Sequence, residues 1–472
     1  MKKYKFLLLI LTVILILSGC SKDFLNEPEQ TTAVSDEVVF SSRTGVEALI
    51  AGMLRLTRGQ YERDDSAGIN SYYYARTVKG NDIIQGPTWF LFDYAHDNRE
   101  PTFRRVNFSW NLAYDIIDQA NTLIQGVTNS GNLSNQDKDE LLSQGLALRA
   151  FYYFQIALEF QGTYAVAKSE PTAPIYLEPT AEGKPLSTLE EIYEQIVLDL
   201  TTARDIGTTS RLGKSFVNTN VINGMLSRVY LVMENWSEAE SAANAAYQGF
   251  PLMTRDQYRE GFSDMSNPEW IWGMLQTSDQ TNFFWGAPHA HADHNVLSYQ
   301  GTFFNDTFVN RFSATDARNI FIAGRYGGTT DSWNYWTSDK FSFTFESDHA
   351  LMRSAEMMLT EAEAIVRQGG RDAEAQALLF AIQSSRDPEA VASGNTGDDL
   401  IEEILIERRK ELYAELGIEW FDAKRLQRGI TRDGNHRVMV NVPANGNEFI
   451  LKIPQAEIDA NEFIGENVNA GK

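Results

Sequence analysis

The stretch Asn218–Tyr247, NTNVINGMLSRVYLVMENWSEAESAANAAY, decides how the chain folds. Asn218 to Met233 keeps apolar residues at helical spacing, and Ala239, Ala242, Ala243 and Ala246 mark one face of a second helix. Only Glu234–Asn235–Trp236 joins them, a connection short enough to make the two helices antiparallel neighbours. The alanines carry little bulk, so the helix backbones can approach closely. The reading is a helical hairpin.

The helical period continues on both sides. Upstream, Ala113, Ile116, Ile117, Ala120 and Ile124 form one face over Trp110–Ile124. Leu146, Ala150, Tyr153 and Ala157 form another. Thr188 and Glu191 make a capping-box pattern that opens a helix through Ile192, Ile196 and Leu200. Downstream, helices are predicted over Leu351–Arg367, Ala373–Ser384 and Asp399–Leu416, with extended pieces at Arg437–Val442 and Glu448–Ile453. Between them, from Gly249 to Ser347, helical periodicity fades into loop-rich sequence with short strands, a length that points to function. The hairpins are of tetratricopeptide type, although the repeat of about 34 residues is not cleanly kept. The expected fold is mainly α: tetratricopeptide-like hairpins in a right-handed scaffold, roughly residues 105–248 and 350–425, carrying a loop-rich, short-stranded ligand-binding portion at roughly 249–347.

The N-terminus has a different purpose. MKKYK is followed by an apolar run from Phe6 to Leu17, too short to span a bilayer, which takes about 20 residues. Then comes LILSGCSKDFL, Leu15–Leu25, holding the single cysteine, Cys20. Apolar Leu17, small Ser18 and Gly19, then Cys20 resemble the lipobox of bacterial lipoproteins. The resemblance implies a signal peptide at residues 1–19, diacylglycerol on Cys20, and a lipidated tether at residues 20–36. Two acyl chains hold a membrane far better than one, at roughly 0.8 kcal/mol per buried methylene. With no second cysteine the chain uses no disulfide.

Acidic residues number 64 against 41 basic, and removing Lys2, Lys3 and Lys5 takes the formal charge from −23 to −26. Such a surface repels nucleic acid and anionic lipid headgroups, which leaves attachment to the acyl anchor.

Several segments together resemble the SusD/RagB lipoproteins of outer membranes. WNLAYDIIDQANTLI (Trp110–Ile124), ALRAFYYF (Ala147–Phe154) with Phe160 and Gly162, and SRVYLVMENW (Ser227–Trp236) match its repeat helices. LMRSAEMMLTEAEA (Leu351–Ala364) and ILIERRKELYAELGIEWFDAKRL (Ile404–Leu426) match its later helices, and Ile453, Pro454, Glu457, Ile458 and Asn461 its close. Leu416 before Gly417 departs from the family's usual Glu-Gly. The resemblance implies one SusD-like domain over residues 37–472. It also implies a lipid-anchored protein on the exterior of the outer membrane, which binds oligosaccharides, less often peptides. Such a protein passes its ligand to a SusC-like TonB-dependent transporter, with no cofactor and no catalysis. A helical scaffold for protein partners is the alternative.

Sugars present flat C–H faces to aromatic rings and hydroxyls to polar side chains. Two stretches fit this chemistry. YGGTTDSWNYWT (Tyr326–Thr337) offers Trp333, Tyr335 and Trp336, and NDIIQGPTWFLFDY (Asn81–Tyr94) offers Trp89 and Tyr94 after a Gly86–Pro87 turn, with Asn81 and Asp82 as polar partners. A third, WGAPHAHADHNV from Trp285, holds His289, His291, Asp293 and His294. Its spacings define no tetrahedral metal site, so Trp285 and His289 are read as ligand contacts instead. Serine-hydrolase, zincin and phosphate-loop motifs are absent from the sequence. The block Glu407, Arg408, Arg409, Glu411, Asp422, Lys424 and Arg425 reads as ion pairing that locks the C-terminal helix to its neighbours.

Overall fold

The structure is a computed structural model that describes residues 35–59, 62–277 and 288–472. The signal, Cys20 and Trp285 lie outside the described residues. Helices α1 (Arg43–Leu56) and α2 (Gly68–Thr77) precede the long pair α3 (Arg104–Asn129) and α4 (Asn135–Phe160). Then follow α5 (Leu189–Ile206), α6 (Thr219–Val232) and α7 (Trp236–Tyr247). After the loop-rich part come α8 (Ser354–Gln368), α9 (Asp372–Arg386), α10 (Gly397–Glu411) and α11 (Ile418–Arg425). Each helix from α3 to α8 packs on the next, and α8 packs on both α9 and α10.

Local chemistry explains most of these helices. Asn218 caps α6, and Thr188 and Glu191 close the capping box on α5. Ala239, Ala242, Ala243 and Ala246 are all buried where α7 meets its neighbours. Every residue of α4 from Ala147 to Phe160 is buried, so this helix is the axis around which α3 and α5 pack. Its Arg149 survives burial through a fork onto Asp199 at 2.7 and 2.8 Å. Gly224 on α6 lets Met352 lie close: a Cβ there would stand 2.1 Å from its sulfur and push that side chain aside.

The strands are short. β1 (Ile83–Gln85), β3 (Thr302–Phe304), β4 (Phe321–Ala323) and β5 (Trp336–Ser338) make one antiparallel sheet in the order β1-β3-β5-β4. β2 (Trp270–Met274) pairs with β6 (His349–Arg353). Two sequence expectations change here. Leu351–Arg353 is strand rather than helix, because β2 supplies an antiparallel partner and Arg353 is drawn into a buried ion cluster. The helix expected over Asp399–Leu416 stops at Glu411. Ala414, Leu416 and Gly417 then take φ of 59, 50 and 68°, and at Gly417 a Cβ would meet Arg76 Cβ at 2.2 Å. At the expected extended piece Glu448–Ile453, Asn447–Phe449 is a 3-10 turn, Ile450 is extended, and Leu451 N–H donates to Glu159 O at 2.7 Å. Of Arg437–Val442 only Asn441–Val442 pairs, with Ile430–Thr431.

The C-terminal charge block is buried and partnered. Arg408 bonds Asp422 at 3.1 Å, Arg425 bonds Glu363 at 2.6 and 2.9 Å and Asp422 at 2.8 Å, and Arg409 bonds Asp82 and Glu419. Lys424 differs, since its ammonium donates to the carbonyls of Leu158, Gln161 and Phe449 and so closes the C-terminal end of α4. Burial lowers its pKa to about 7.

Glu411 is the hub. Its carboxylate accepts from Arg318 at 3.0 Å, Arg353 at 3.0 Å and Arg386 at 3.0 Å. Arg353 also pairs with Glu269 and Glu415, Arg386 with Glu269, Arg318 with Asp316 and Glu407, and Lys340 with Glu415. The three arginines hold the Glu411 carboxyl well below the usual carboxylate range. Removing one charge from such a cluster leaves its partners buried and unneutralised. Urea unfolding of Glu411→Gln is expected to show a loss of about 3–5 kcal/mol. Glu402→Gln, which breaks the half-exposed Glu402–Arg428 pair, is expected to cost under about 1 kcal/mol. Equal effects from the two substitutions would remove the cluster from its structural role.

Candidate functional site

Adjacent strand residues point to opposite faces of a sheet. On β3, Phe304 turns inward, with Phe321 at 5.0 Å and Tyr413 at 5.6 Å. Phe303 turns to the other face and carries Trp333 edge-on at 5.0 Å and Tyr326 at 5.8 Å. Both belong to residues 324–335, which link β4 to β5. This loop is held along its length. Gly324 N–H donates to Tyr335 O at 2.8 Å, Tyr335 N–H to Ser332 O at 3.0 Å, and Asn435 Nδ2 to Ser332 O at 2.9 Å. The Arg437 guanidinium lies 5.4 Å from the Trp333 ring.

Polar groups border this aromatic ledge. Arg325 donates to Asn295 Oδ1 at 2.9 Å, Asp339 Oδ1 at 3.0 Å and Thr337 Oγ1 at 3.2 Å. The Tyr326 ring is 44% exposed, while its hydroxyl meets His294 Nδ1 at 2.9 Å and Gln300 Oε1 at 3.1 Å. Rigid rings flanked by hydrogen-bonding groups can hold a flat, hydroxylated ligand.

Of the three aromatics expected in this loop, Trp333 stands on the Phe303 side of the sheet, whereas Trp336 is the antiparallel partner of Phe304 and shares its side. All three are half-buried, and Tyr335 stands edge-on to Trp336 at 5.0 Å. Trp336 begins β5, and its indole N–H is buried without a hydrogen-bond partner. Trp89 is half-buried and packs on the same apolar cluster as Trp333 and Trp336. The Gly86 turn that presents it is pinned by Gly86 N–H to Gly301 O at 2.7 Å.

Four expected contacts are structural instead. Tyr94 is fully buried, its hydroxyl 2.8 Å from His436 Nδ1 and its ring 3.8 Å from the Arg432 guanidinium. Asp82 is buried in its pair with Arg409. Asn81 spends its amide on Asp433 and Asn305: Nδ2 donates to Asp433 Oδ1 at 2.8 Å, and Oδ1 accepts from Asp433 N–H at 3.0 Å. His289 is buried against Phe341 and His349 and bonds the Phe262 carbonyl. The histidines also diverge: His291 stacks between Tyr74 at 4.7 Å and Tyr299 at 4.9 Å, while His294 turns to Thr302 O. Among the described residues no group of three or more His, Cys, Asp or Glu is placed to hold a metal.

Sequence reading missed Tyr326, Phe303, Arg325 and Arg437 as members of the face. Tyr326 and Arg325 had a local signal, at the edge of the Gly-rich aromatic stretch. Arg437 had none, because the fold brings it from about a hundred residues away in sequence.

Comparisons with known proteins are consistent in kind. A family model described as starch-binding, associating with the outer membrane (SusD-like) matches residues 23–231, and a SusD family model (SusD/RagB) matches residues 333–469. A SusD-like carbohydrate binding protein from Bacteroides vulgatus superposes with a TM-score of 0.82 at 24% identity, over 90% of this chain and 98% of that one. A SusD superfamily protein from Bacteroides thetaiotaomicron gives 0.80 at 21%, over 90% and 99%. Surface glycan-binding protein A from Bacteroides fluxus gives 0.74 at 15%, over 92% and 100%. At these identities the likeness is one of fold. No curated protein matches the sequence.

The histidines generate a pH dependence. Desolvation lowers His96 and His291 to about 3, His289, His294 and His436 to about 4, and His349 well below its ordinary value. Unfolded imidazole takes its proton near about pH 6.5. Stability from keeping these rings neutral is fully present above that pH and is lost as pH falls toward 4, by about 1.4 kcal/mol per pH unit for each ring. Neither nitrogen of His291 has a hydrogen-bond partner. His291→Phe preserves the ring stack, so its unfolding free energy is expected to match the parent at pH 7.5 and to fall less steeply below pH 6.5. An unchanged slope would show that His291 is protonated within the fold.

Proposed function

Because the chain belongs to the SusD/RagB family, we propose that it is a cell-surface glycan-binding lipoprotein that captures oligosaccharides on the Trp333–Tyr326 ledge. Cys20 carries the acyl anchor in the outer membrane, and the bound glycan passes to a SusC-like TonB-dependent transporter. The role is binding without turnover. The observation that supports it best is the ledge itself: Phe303 backs Trp333 and Tyr326, and Arg437, Arg325, Asp339 and Asn295 border them. A pyranose face lies on an indole, and side chains already fixed by neighbours bind its hydroxyls at little entropic cost. The net charge, −26 once Lys2, Lys3 and Lys5 are removed from the −23 of the full sequence, favours neutral glycans over polyanions.

Calorimetric titration against a panel of plant, host and microbial oligosaccharides is expected to give a micromolar ligand, roughly −8 kcal/mol at 1 μM. Trp333→Ala is expected to weaken that ligand at least about tenfold, or 1.4 kcal/mol, with unfolding unchanged. A folded Trp333→Ala protein that binds the same glycan with full affinity would refute the ledge as the site. For the anchor, Cys20→Ala is expected to move the protein out of the outer-membrane fraction, and continued retention there would rule out acylation as the tether.

A further inference from the structure

A second cleft, of about 300 Å³, opens on the helical scaffold between α3, residues 176–183 and the Glu457–Asn461 segment. That volume is near the lower end for ligand pockets, about 300–1,000 Å³. It shares no residue with the aromatic ledge. Trp110, Tyr114 and Tyr176 supply its aromatic walls. Asp115, Asp118, Glu178, Glu182 and Glu457 surround them with carboxylates. Among the described residues Asp118, Glu178 and Glu182 form no ion pair, and all three are exposed.

The walls are preformed. Tyr176 N–H donates to the Tyr153 hydroxyl at 2.7 Å, while Tyr176 O accepts from Tyr153 at 3.0 Å and from Asn121 Nδ2 at 3.0 Å. Tyr114 hydroxyl donates to Pro174 O at 2.7 Å, and Asn461 Nδ2 to Lys184 O at 3.0 Å. The cations nearby are few. Arg149 lies behind Asn121, committed to Asp199, and Lys184 places its ammonium 5.4 Å from the Tyr176 ring. The ring thus already attracts a cation of this chain. Leu177, between the wall residues Tyr176 and Glu178, is 46% exposed, and Phe463, two residues beyond Asn461, is 55% exposed.

We propose that this cleft is a docking site for an arginine-bearing peptide segment. Like charges gathered around a small cavity repel one another, and a cation entering it relieves that repulsion while a neutral sugar does not. A guanidinium also matches both components, stacking on aromatic rings and forking onto carboxylates. Exposed apolar side chains next to the wall residues, Leu177 above all, favour a side chain carried on a peptide over a free ion, because they can cover the residues beside the arginine.

The test uses the whole protein and three probes: the blocked pentapeptide LRGRL, the same peptide with citrulline for arginine, and a mixture of neutral oligosaccharides as the neutral glycan. The arginine peptide is expected to bind saturably, at least about tenfold tighter than the citrulline peptide, and more weakly at about 300 than at about 50 mM salt. Asp118→Asn with Glu178→Gln and Glu182→Gln is expected to lose at least about tenfold for the peptide. Trp333→Ala is expected to leave peptide binding unchanged. Absence of saturable peptide binding, equal affinity for the citrulline peptide, or full affinity in the triple variant would overturn the proposal. Displacement of the peptide by the neutral glycan from the Trp333→Ala protein would assign the cleft to sugar and overturn it as well. The citrulline comparison needs no variant, so a misfolded triple variant leaves the decision intact.

Discussion

The carboxylate of Glu411, enclosed by Arg318, Arg353 and Arg386, is the constraint from which the rest of the architecture follows. None of these groups reaches water, so each must find its partners inside. The partners come from remote parts of the chain: Glu269 precedes β2, Arg353 ends β6, Arg386 ends α9, and Glu411 ends α10. Burying a charge cluster adds little net stability, yet any arrangement that leaves one member unpaired is heavily penalised. The cluster therefore acts mainly on specificity, holding the helical layer and the loop-rich layer in one relation.

That relation reaches the aromatic ledge. Asp316 and Arg318 stand just before β4, and Lys340 just after β5, so both feet of the hairpin that carries Tyr326 and Trp333 are anchored in the cluster. A ring presented to a ligand from a loop is useful only if the loop does not have to be ordered on binding. Here the bases of the loop are fixed by charge and its upper part by backbone hydrogen bonds. The scaffold cleft is rigid for a different reason, since its walls are tied by tyrosine hydroxyls and an asparagine amide.

Helices with a one-sided apolar period were readable from sequence, as α3, α5 and the α6–α7 hairpin show. So was the capping box at Thr188, because its chemistry is local. α2 was not, since GINSYYYART is buried on every side and leaves no stripe to detect. The strand at Leu351–Arg353 and the stop at Glu411 were hidden because distant partners override the local helical pattern. The same holds at the site. Trp333 stood out in the sequence as an aromatic in a Gly-rich polar loop, but its seat on Phe303 is set by the sheet. Tyr94, Asp82, Asn81 and His289 belong to equally polar sequence, but their hydrogen-bonding capacity is taken up within the protein.

The seat of Lys424 has a consequence for how the chain is made. Its ammonium closes the end of α4 through the carbonyls of Leu158 and Gln161, more than 260 residues earlier in the chain. Asp433 likewise meets Asn81 from 352 residues away. A chain emerging from the ribosome N-terminus first holds its central helix with an open end until nearly the last turn of synthesis. Contacts of such long range also make final closure slow. The helices from α3 to α7 can pack on one another earlier, but the end of α4 is closed only once the C-terminal residues exist.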